Sequence, residues 1–505
     1  MIKKNTIYSG GVELEKIEKL CREGLLAIKD NEGIYTLDRL KEALEHIITP
    51  KMNDKQLMEC IIQVSLELTT EMEPKWQYVS ARLYTLKLYD EVKKIRGINS
   101  ESGLYSGLYK FIEELTEEGL YGKYILENYT EEEVKELENV IKPERDFLFT
   151  YSGISLLSKR YLVHNYDREV VELPQQMFMG IAMHLAIPEE KENRVNWAIR
   201  FYDVLSSLKA TMATPTMSNA RKPFYQLSSC FIDTVDDSLK GIYKSLDNFA
   251  EVSKFGGGMG IYIGKVRALG SAIRGFKGAS GGIIPWIKLF NDTAIAVDQL
   301  GVRNGSVAIW LDAWHKDLPE FLQLRTNNGD DRKKAHDIFP GLCYPELFWR
   351  LAETDIDANW YMMCPHEIRT VKGYSLEDFY GEEWEERYYD CVNDCRIEKR
   401  VMSVKDIVRL IIKSAAETGT PFAFYRDTVN RMNPNKHKGM IYSSNLCTEI
   451  MQNMSPMEIR KSEIVDENGD KIVVERTKSG DFVVCNLSSI VLGNVDVLND
   501  KELDY

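Results

Sequence analysis

The sequence predicts an α/β fold in which a helical N-terminal region precedes a domain built mainly of parallel strands. Three observations carry this expectation. Glycine is unevenly used, with 11 of the 33 glycines in residues 1–200 and another 11 in residues 241–282 alone. The first two hundred residues place apolar side chains at helical spacing. Beyond about residue 211, short β-branched or aromatic runs alternate with helical segments and glycine-rich turns.

In chain order, Leu57, Cys60, Ile61, Val64 and Leu68 fall at i, i+3, i+4, i+7 and i+11, one stripe of an amphipathic helix. Thr130-Glu-Glu-Glu133 has capping-box spacing and opens a stripe of Val134, Leu137, Val140 and Ile141, which Pro143 stops. Another helix is expected from Asn196 to Ala210, with Trp197, Ile199, Val204 and Leu208 as its apolar positions. Strands are expected at Gly260–Gly264, Ser306–Trp310 and Val483–Leu487, and helices at Asp237–Val252 and Val404–Glu417. The polar stretch Ser462–Asp481 reads as an exposed hairpin turning at Asn468-Gly469, a dipeptide suited to tight hairpin turns. There is no internal repeat and no low-complexity linker.

The 505 residues carry 64 Lys+Arg against 78 Asp+Glu, a formal charge of −14. That balance argues against a dedicated nucleic-acid binder. No apolar run reaches the ~18 residues of a membrane helix, and no signal-type stretch follows Met1-Ile-Lys-Lys-Asn-Thr. Nine cysteines scattered over so long a chain do not form a disulfide scaffold. The expectation is a reduced, cytoplasmic protein with most thiols buried and a minority reactive.

Gly256-Gly-Gly-Met-Gly260 invites a dinucleotide-binding reading. That fingerprint needs a strand before it and a helix after it, and here the order is reversed. The histidines show no zincin-type pairing, Cys391 and Cys395 lack a second ligand pair and read as packing residues, and Cys364-Pro-His366 stands isolated. No metal site is expected. Three segments are informative together: Ala213-Thr-Pro-Thr-Met-Ser-Asn219 leading to Ser228-Ser-Cys230, Ser444-Asn-Leu-Cys-Thr-Glu449, and Val484-Cys-Asn-Leu-Ser-Ser489. In an extended strand Asn445, Cys447 and Glu449 would share one face. Any one of these cysteines alone would pass for a buried core thiol. Jointly they read as a redox site, because a dithiol delivers two electrons on oxidation, a third thiol can do separate chemistry, and a carboxylate can move a proton.

On these segments, and on Ser-Asn-Leu-Cys-x-Glu above all, the chain resembles the large, catalytic subunit of class I ribonucleotide reductase from about residue 12 to its end. The resemblance implies an ATP-cone-like domain over 1–95, a helical domain over 96–220 and, over 221–505, the N-terminal part of a ten-stranded α/β barrel. It implies that Cys447 forms the thiyl radical that takes the 3′ hydrogen of the ribose, that Glu449 is the general base for the 3′-hydroxyl, and that Asn445 holds the substrate hydroxyls. Cys230 and Cys485 would be the reducing pair, and Thr214, Ser229 and Gly258 would contact a ribonucleoside diphosphate. Asp237, Ser238, Leu239, Arg267 and Arg274 match the specificity-effector site for ATP, dATP, dTTP or dGTP, with Arg303 in Gln299-Leu-Gly-Val-Arg-Asn-Gly305 as base reader. Guanidinium groups suit phosphate because they pair with its oxygens in a fork.

Two departures accompany the resemblance. The cone keeps Val12-Glu-Leu-Glu-Lys-Ile17 and Gln77-Tyr-Val-Ser-Ala-Arg82, but its N-terminal hairpin is shortened and Tyr89-Asp-Glu91 stands where a lysine is expected. A degenerate ATP-cone is therefore expected, with Lys16 a remaining nucleotide contact. The chain also stops soon after the Cys485 strand, before the family's paired radical-path tyrosines, phosphate loop and C-terminal cysteine pair. The expectation is the N-terminal portion of a split enzyme, against the alternative of a truncated chain. Its expected partners are a C-terminal polypeptide, a small subunit bearing the metal-radical centre, a second large subunit, and thioredoxin or glutaredoxin, with no cofactor bound directly. A competing reading is a catalytically inactive nucleotide-binding regulatory protein. A cobalamin-dependent reductase is disfavoured by the class I form of the Asn-Cys-Glu segment.

Overall fold

The structure is a computed structural model that describes residues 14–30, 33–45, 47–49, 52–98, 103–297, 305–459, 462–478 and 480–495. The chain divides into two compact units, one of residues 1–227 with 488–505 and one of residues 228–487.

The first unit is helical. Its opening helices, Leu14–Leu25, Leu37–Leu44 and Asp54–Glu67, turn Ile17, Cys21, Leu40, Leu44, Leu57, Ile61 and Val64 into one buried cluster around Trp76. The expected stripe is therefore realised, with Leu68 as the C-cap of its helix. The long helix Trp76–Arg96 serves two cores, giving Val79 and Leu83 to this cluster and Ala81, Leu88 and Val92 to the next. Tyr89 lies on that second face, buried, with its hydroxyl donating to the buried Asp146 carboxylate. Lys16 is ion-paired with Asp54 on the surface. The capping box forms at Thr130 and Glu133, the helix Glu131–Asn139 buries Val134 and Leu137, and a short 3₁₀ turn begins at Pro143. The helix expected over 196–210 instead spans Arg194–Ser206. Leu208 turns the chain at φ 59°, and Ala210–Met212 becomes a strand paired antiparallel with Ser488–Ile490. Apolar periodicity alone ran through that turn.

The second unit is organised on a six-stranded sheet. Its strands are β1 (Cys230–Thr234), β2 (Gly258–Tyr262), β3 (Val307–Asp312), β4 (Ile338–Tyr344), β5 (Phe422–Tyr425) and β6 (Val483–Cys485), in the spatial order β6-β1-β2-β3-β4-β5. The pairs from β1 to β5 are parallel, and the helices Leu239–Lys254, Ile284–Ala296 and Val404–Thr418 fall between strands in the sequence. β6 pairs antiparallel with β1, unlike the rest. Period-two alternation splits each strand between two cores. Phe231, Met259, Ile261, Val307, Ile309 and Leu311 join the large cluster beneath the helices, whereas Ile232, Tyr262, Ala308 and Trp310 face a smaller one with Ile441, Tyr442, Met454 and Val483. Strands buried on both faces read as nearly continuous apolar runs, as these do. This sheet is the incomplete barrel expected of the fold.

The hairpin forms at Glu463–Glu467 and Asp470–Val474, with Asn468 at φ 53° and Gly469 at φ 89° in the left-handed region its turn demands. Gly256 and Gly257 follow a helix ending at Lys254, and Gly258 to Gly260 open β2, the order that excludes a dinucleotide fingerprint.

Candidate active site

β1 brings the first thiol to the site. Cys230 begins the strand and lies directly opposite Cys485 in the antiparallel β1–β6 pairing. Residues facing each other across such a pair have Cα atoms roughly 4.5–5.5 Å apart, inside the range a disulfide spans. Every cysteine in the structure is a thiol. On its other side Cys230 pairs with Gly258 of β2, so Cys485, Cys230 and Gly258 form one row across three strands. The next row on that face is Val483, Ile232, Gly260 and Ala308. Ser229 stitches the strand ends together: its N–H donates to the Cys485 carbonyl at 3.1 Å, and its own carbonyl accepts from Gly258 N–H at 2.8 Å.

Gly258 and Gly260, two apart on one face, leave a bare track on β2, and the loop bearing Asn445, Cys447 and Glu449 runs along it. A Cβ on Gly258 would stand 2.8 Å from Leu446 Cδ2, and one on Gly260 would stand 2.7 Å from Asn445 Cα. No strand forms here, contrary to the expectation that Asn445, Cys447 and Glu449 alternate along one. Residues 444–450 form a turn instead, with Thr448 in the left-handed region at φ 74°. The fully buried Asn445 closes it, its Oδ1 accepting from Glu449 N–H and Ile450 N–H, each at 3.1 Å. The short polar side chain satisfies a backbone that has left the sheet, so it competes successfully with strand pairing. Trp310 Nε1 donates to the Asn445 carbonyl at 3.3 Å, fastening the turn to β3.

The turn carries Glu449 to the first thiol, and Cys230 Sγ donates to Glu449 Oε1 at 3.6 Å. Burial, with the Glu449 carboxylate adding to it, pushes the Cys230 thiol up to about 11, so at neutral pH it keeps its proton. Cys447 is solvent-exposed at the tip, and Cys485 is half-buried. Asn445 Nδ2 is buried without a hydrogen-bond acceptor, a donor whose desolvation costs about 1–3 kcal/mol unless a ligand meets it. Cys230, Cys485, Ser229, Gly258, Asn445 and Glu449 are thus brought together. Thr214 belongs to the first unit, where its Oγ1 shares a hydrogen bond of 3.1 Å with Tyr161.

A second constellation gathers on Asp237, which precedes the helix Leu239–Lys254 that Ser238 caps through Gly241 N–H. Arg267 holds the nearly buried Asp237 carboxylate through Nε and Nη2, at 3.0 and 2.9 Å, and donates Nη1 to the Ala272 carbonyl. Arg369 Nη2 reaches the same carboxylate at 3.1 Å and His366 Nδ1 lies 3.2 Å away. Burial and the neighbouring Arg267 push the His366 imidazole below its ordinary value. His366, which looked isolated, therefore lies beside the Arg267 and Arg369 cations on Asp237, and Arg369 carried no sequence signal beyond its charge. Leu239 and Arg274 are exposed, the latter at φ 52°. Arg303 lies outside the described residues. Cys391 is buried as expected of a packing residue, but Cys395 is exposed, because the helix Gly381–Asn393 ends before it. Among the described residues no helix is long and apolar enough to cross a membrane.

Comparison with known proteins fits this geometry. Residues 228–505 match the family model described as ribonucleotide reductase, barrel domain, and residues 147–225 match that described as ribonucleotide reductase, all-alpha domain. The chain is 56% identical over 469 residues to the ribonucleoside-diphosphate reductase subunit alpha of Treponema pallidum (strain Nichols), covering 93% of this chain and 55% of that protein. It is 37% identical over 522 residues to the Helicobacter pylori (strain ATCC 700392 / 26695) subunit alpha, covering 97% and 63%. To the large subunit of monkeypox virus it is 32% identical over 522 residues, covering 100% and 60%. The chain thus spans between 55% and 63% of the length of these relatives.

Proposed function

The chain belongs to the ribonucleotide reductase large-subunit family, and from that premise we propose that its second unit performs the ribose chemistry of ribonucleoside-diphosphate reduction. The observation that carries this reading is the row in which Cys230 faces Cys485 while Glu449 meets the Cys230 thiol. Cys447, as a thiyl radical, takes the 3′ hydrogen of the ribose, and Glu449 accepts the 3′-hydroxyl proton. The 2′-hydroxyl leaves as water. Cys230 and Cys485 supply two electrons and two protons, ending as a disulfide, and the 3′ hydrogen returns from Cys447. The products are one deoxyribonucleoside diphosphate, one water and one disulfide, so atoms and electrons balance. The Cys230 thiol, held protonated by burial, is ready to give a proton to the departing hydroxyl. The unpaired Asn445 Nδ2 is a donor for a substrate hydroxyl.

The oxidising equivalent comes from a metal-radical centre on a separate small subunit. The segments that relatives carry beyond this length, on the same or another polypeptide, complete the barrel. We assign Asp237, Arg267 and their neighbours to a nucleoside triphosphate effector, a second copy of the chain to its dimer, and thioredoxin or glutaredoxin to re-reduction. Disulfide mapping tests the chemistry. With ribonucleoside diphosphate, the small subunit and the remainder of the barrel present but no external reductant, a Cys230–Cys485 disulfide accumulates in step with deoxyribonucleotide and is absent from Cys485→Ser. Product formed while both thiols stay reduced would overturn this assignment.

A further inference from the structure

The segment 441–445, which leads into the Cys447 turn, lies buried outside any ladder, so its backbone polar groups must find other partners. Side chains of the helix Arg426–Met432 supply them. Asn430 meets Ile441 on both sides, with Oδ1 accepting from Ile441 N–H and Nδ2 donating to Ile441 O, each at 2.9 Å. One helical turn earlier, Arg426 Nη2 donates to the Tyr442 carbonyl at 3.0 Å. Arg426 is itself held by Asp312 at the end of β3, at 2.7 Å, with both side chains 2% exposed. The helix is anchored in turn by Asp427, which accepts from Glu346 N–H at 2.7 Å and Gly381 N–H at 3.0 Å.

We propose that Asn430 and Arg426 are positioning residues that set the register and height of the turn carrying Asn445, Cys447 and Glu449. This rests on reading Cys447 as the reactive thiol. An amide that grips both polar groups of one residue fixes translation along the segment and rotation about it. Asn445 then lies four residues downstream, pressed between Gly260 and Trp310 with no room to absorb an error. A shift of about 1 Å at the reacting atom can cost roughly 100-fold in rate. Arg426 fixes the following peptide and links it to the sheet through Asp312, so the turn is referenced to the strand that also donates Trp310 Nε1.

The test compares the full chain with Asn430→Ala and with the milder Asn430→Ser, which serves if alanine fails to fold. Iodoacetamide labelling followed by mass spectrometry gives the alkylation rate at Cys447 relative to Cys395, an exposed thiol beyond the helix Gly381–Asn393. The expected result is a change of about threefold or more in that ratio, and a fall in turnover of roughly 10- to 100-fold in the reconstituted enzyme. An unchanged ratio with unchanged turnover overturns the proposal. A parallel rise at both cysteines also overturns it, because general loosening moves both alike. Absence of turnover from the unmodified chain would count against the proposed function, leaving the labelling ratio, which needs no activity, to decide the positioning claim.

Discussion

Replacing Gly260 by alanine puts a methyl group where the backbone of the Cys447 turn runs. The new Cβ would stand 2.7 Å from Asn445 Cα and 2.9 Å from its carbonyl carbon. Carbon atoms pack comfortably at about 3.5–4.0 Å, so the turn and β2 must part by about 1 Å. The obstacle is backbone on both sides and cannot rotate away. Overpacking of this kind costs about 1–3 kcal/mol, and the Trp310–Asn445 bond, already 3.3 Å long, would break for about 1 kcal/mol more. The sum is about 2–4 kcal/mol, which lowers Tm by on the order of 5–10 °C for a unit of this size. Gly258→Ala is the matched control. Its Cβ would crowd Leu446 Cδ2, the end of a flexible side chain, and meet Leu446 Cβ and the Ser229 carbonyl at an ordinary 3.7 Å, so its cost stays below about 1 kcal/mol. Thermal unfolding followed by tryptophan fluorescence, with Cys447 labelling as a second probe, separates the two. Gly260→Ala melting with the unmodified chain, or Gly258→Ala as damaged as Gly260→Ala, would refute the reasoning.

Arg369→Gln removes one of the cations on Asp237, and because Arg369 is 40% exposed its loss is worth only ~1 kcal/mol, so the effector binding we propose predicts that dTTP affinity measured by calorimetry falls about fivefold with the fold intact; unchanged affinity would show that Arg369 does not shape the proposed effector site. Asp146 is buried among Tyr89, Tyr105 and Gln175, and burial raises its carboxyl to about 6. A carboxyl raised above its unfolded value of about 3.9 adds stability that is full below that value and lost as pH climbs through about 6, on the order of 3 kcal/mol in all. Urea titrations of the first unit's unfolding should show that decline, and Asp146→Asn should abolish it; a variant with the same slope would place the proton elsewhere.

Much of the architecture was legible because it obeys simple periods. The capping box at Thr130, the stripe from Leu57 to Val64 and the Asn468-Gly469 turn each express a local rule that tertiary packing did not override. The helix over 194–206 was overextended because Leu208 continues the apolar period while its backbone turns away. Cysteine and carboxylate identities singled out segments that the structure brings together at Cys230, Cys485 and Glu449, yet the alternation of Asn445, Cys447 and Glu449 suggested a strand where there is a turn. Its cause, Asn445 Oδ1 binding two backbone N–H groups, is local, and an asparagine followed by Leu-Cys-Thr-Glu fits either outcome. The spacing of Gly258 and Gly260 was visible in the sequence: glycines two apart in a strand mark one face that something else approaches. What occupies that face became clear only from the long-range arrangement, as did Asn430, Arg426, His366 and Arg369, whose partners lie from 11 to 132 residues away.

The central claim, that Cys447 on its fastened turn is the thiol that begins ribose reduction, is tested most directly by turnover. The chain is combined with the remainder of the barrel, the radical-generating small subunit, a ribonucleoside diphosphate and a reductant, and deoxyribonucleoside diphosphate is quantified beside Cys447→Ser. The account predicts product from the unmodified chain and none above background from the variant, with both melting alike because an exposed side chain has been exchanged for one of similar size. Equal product from both would contradict it.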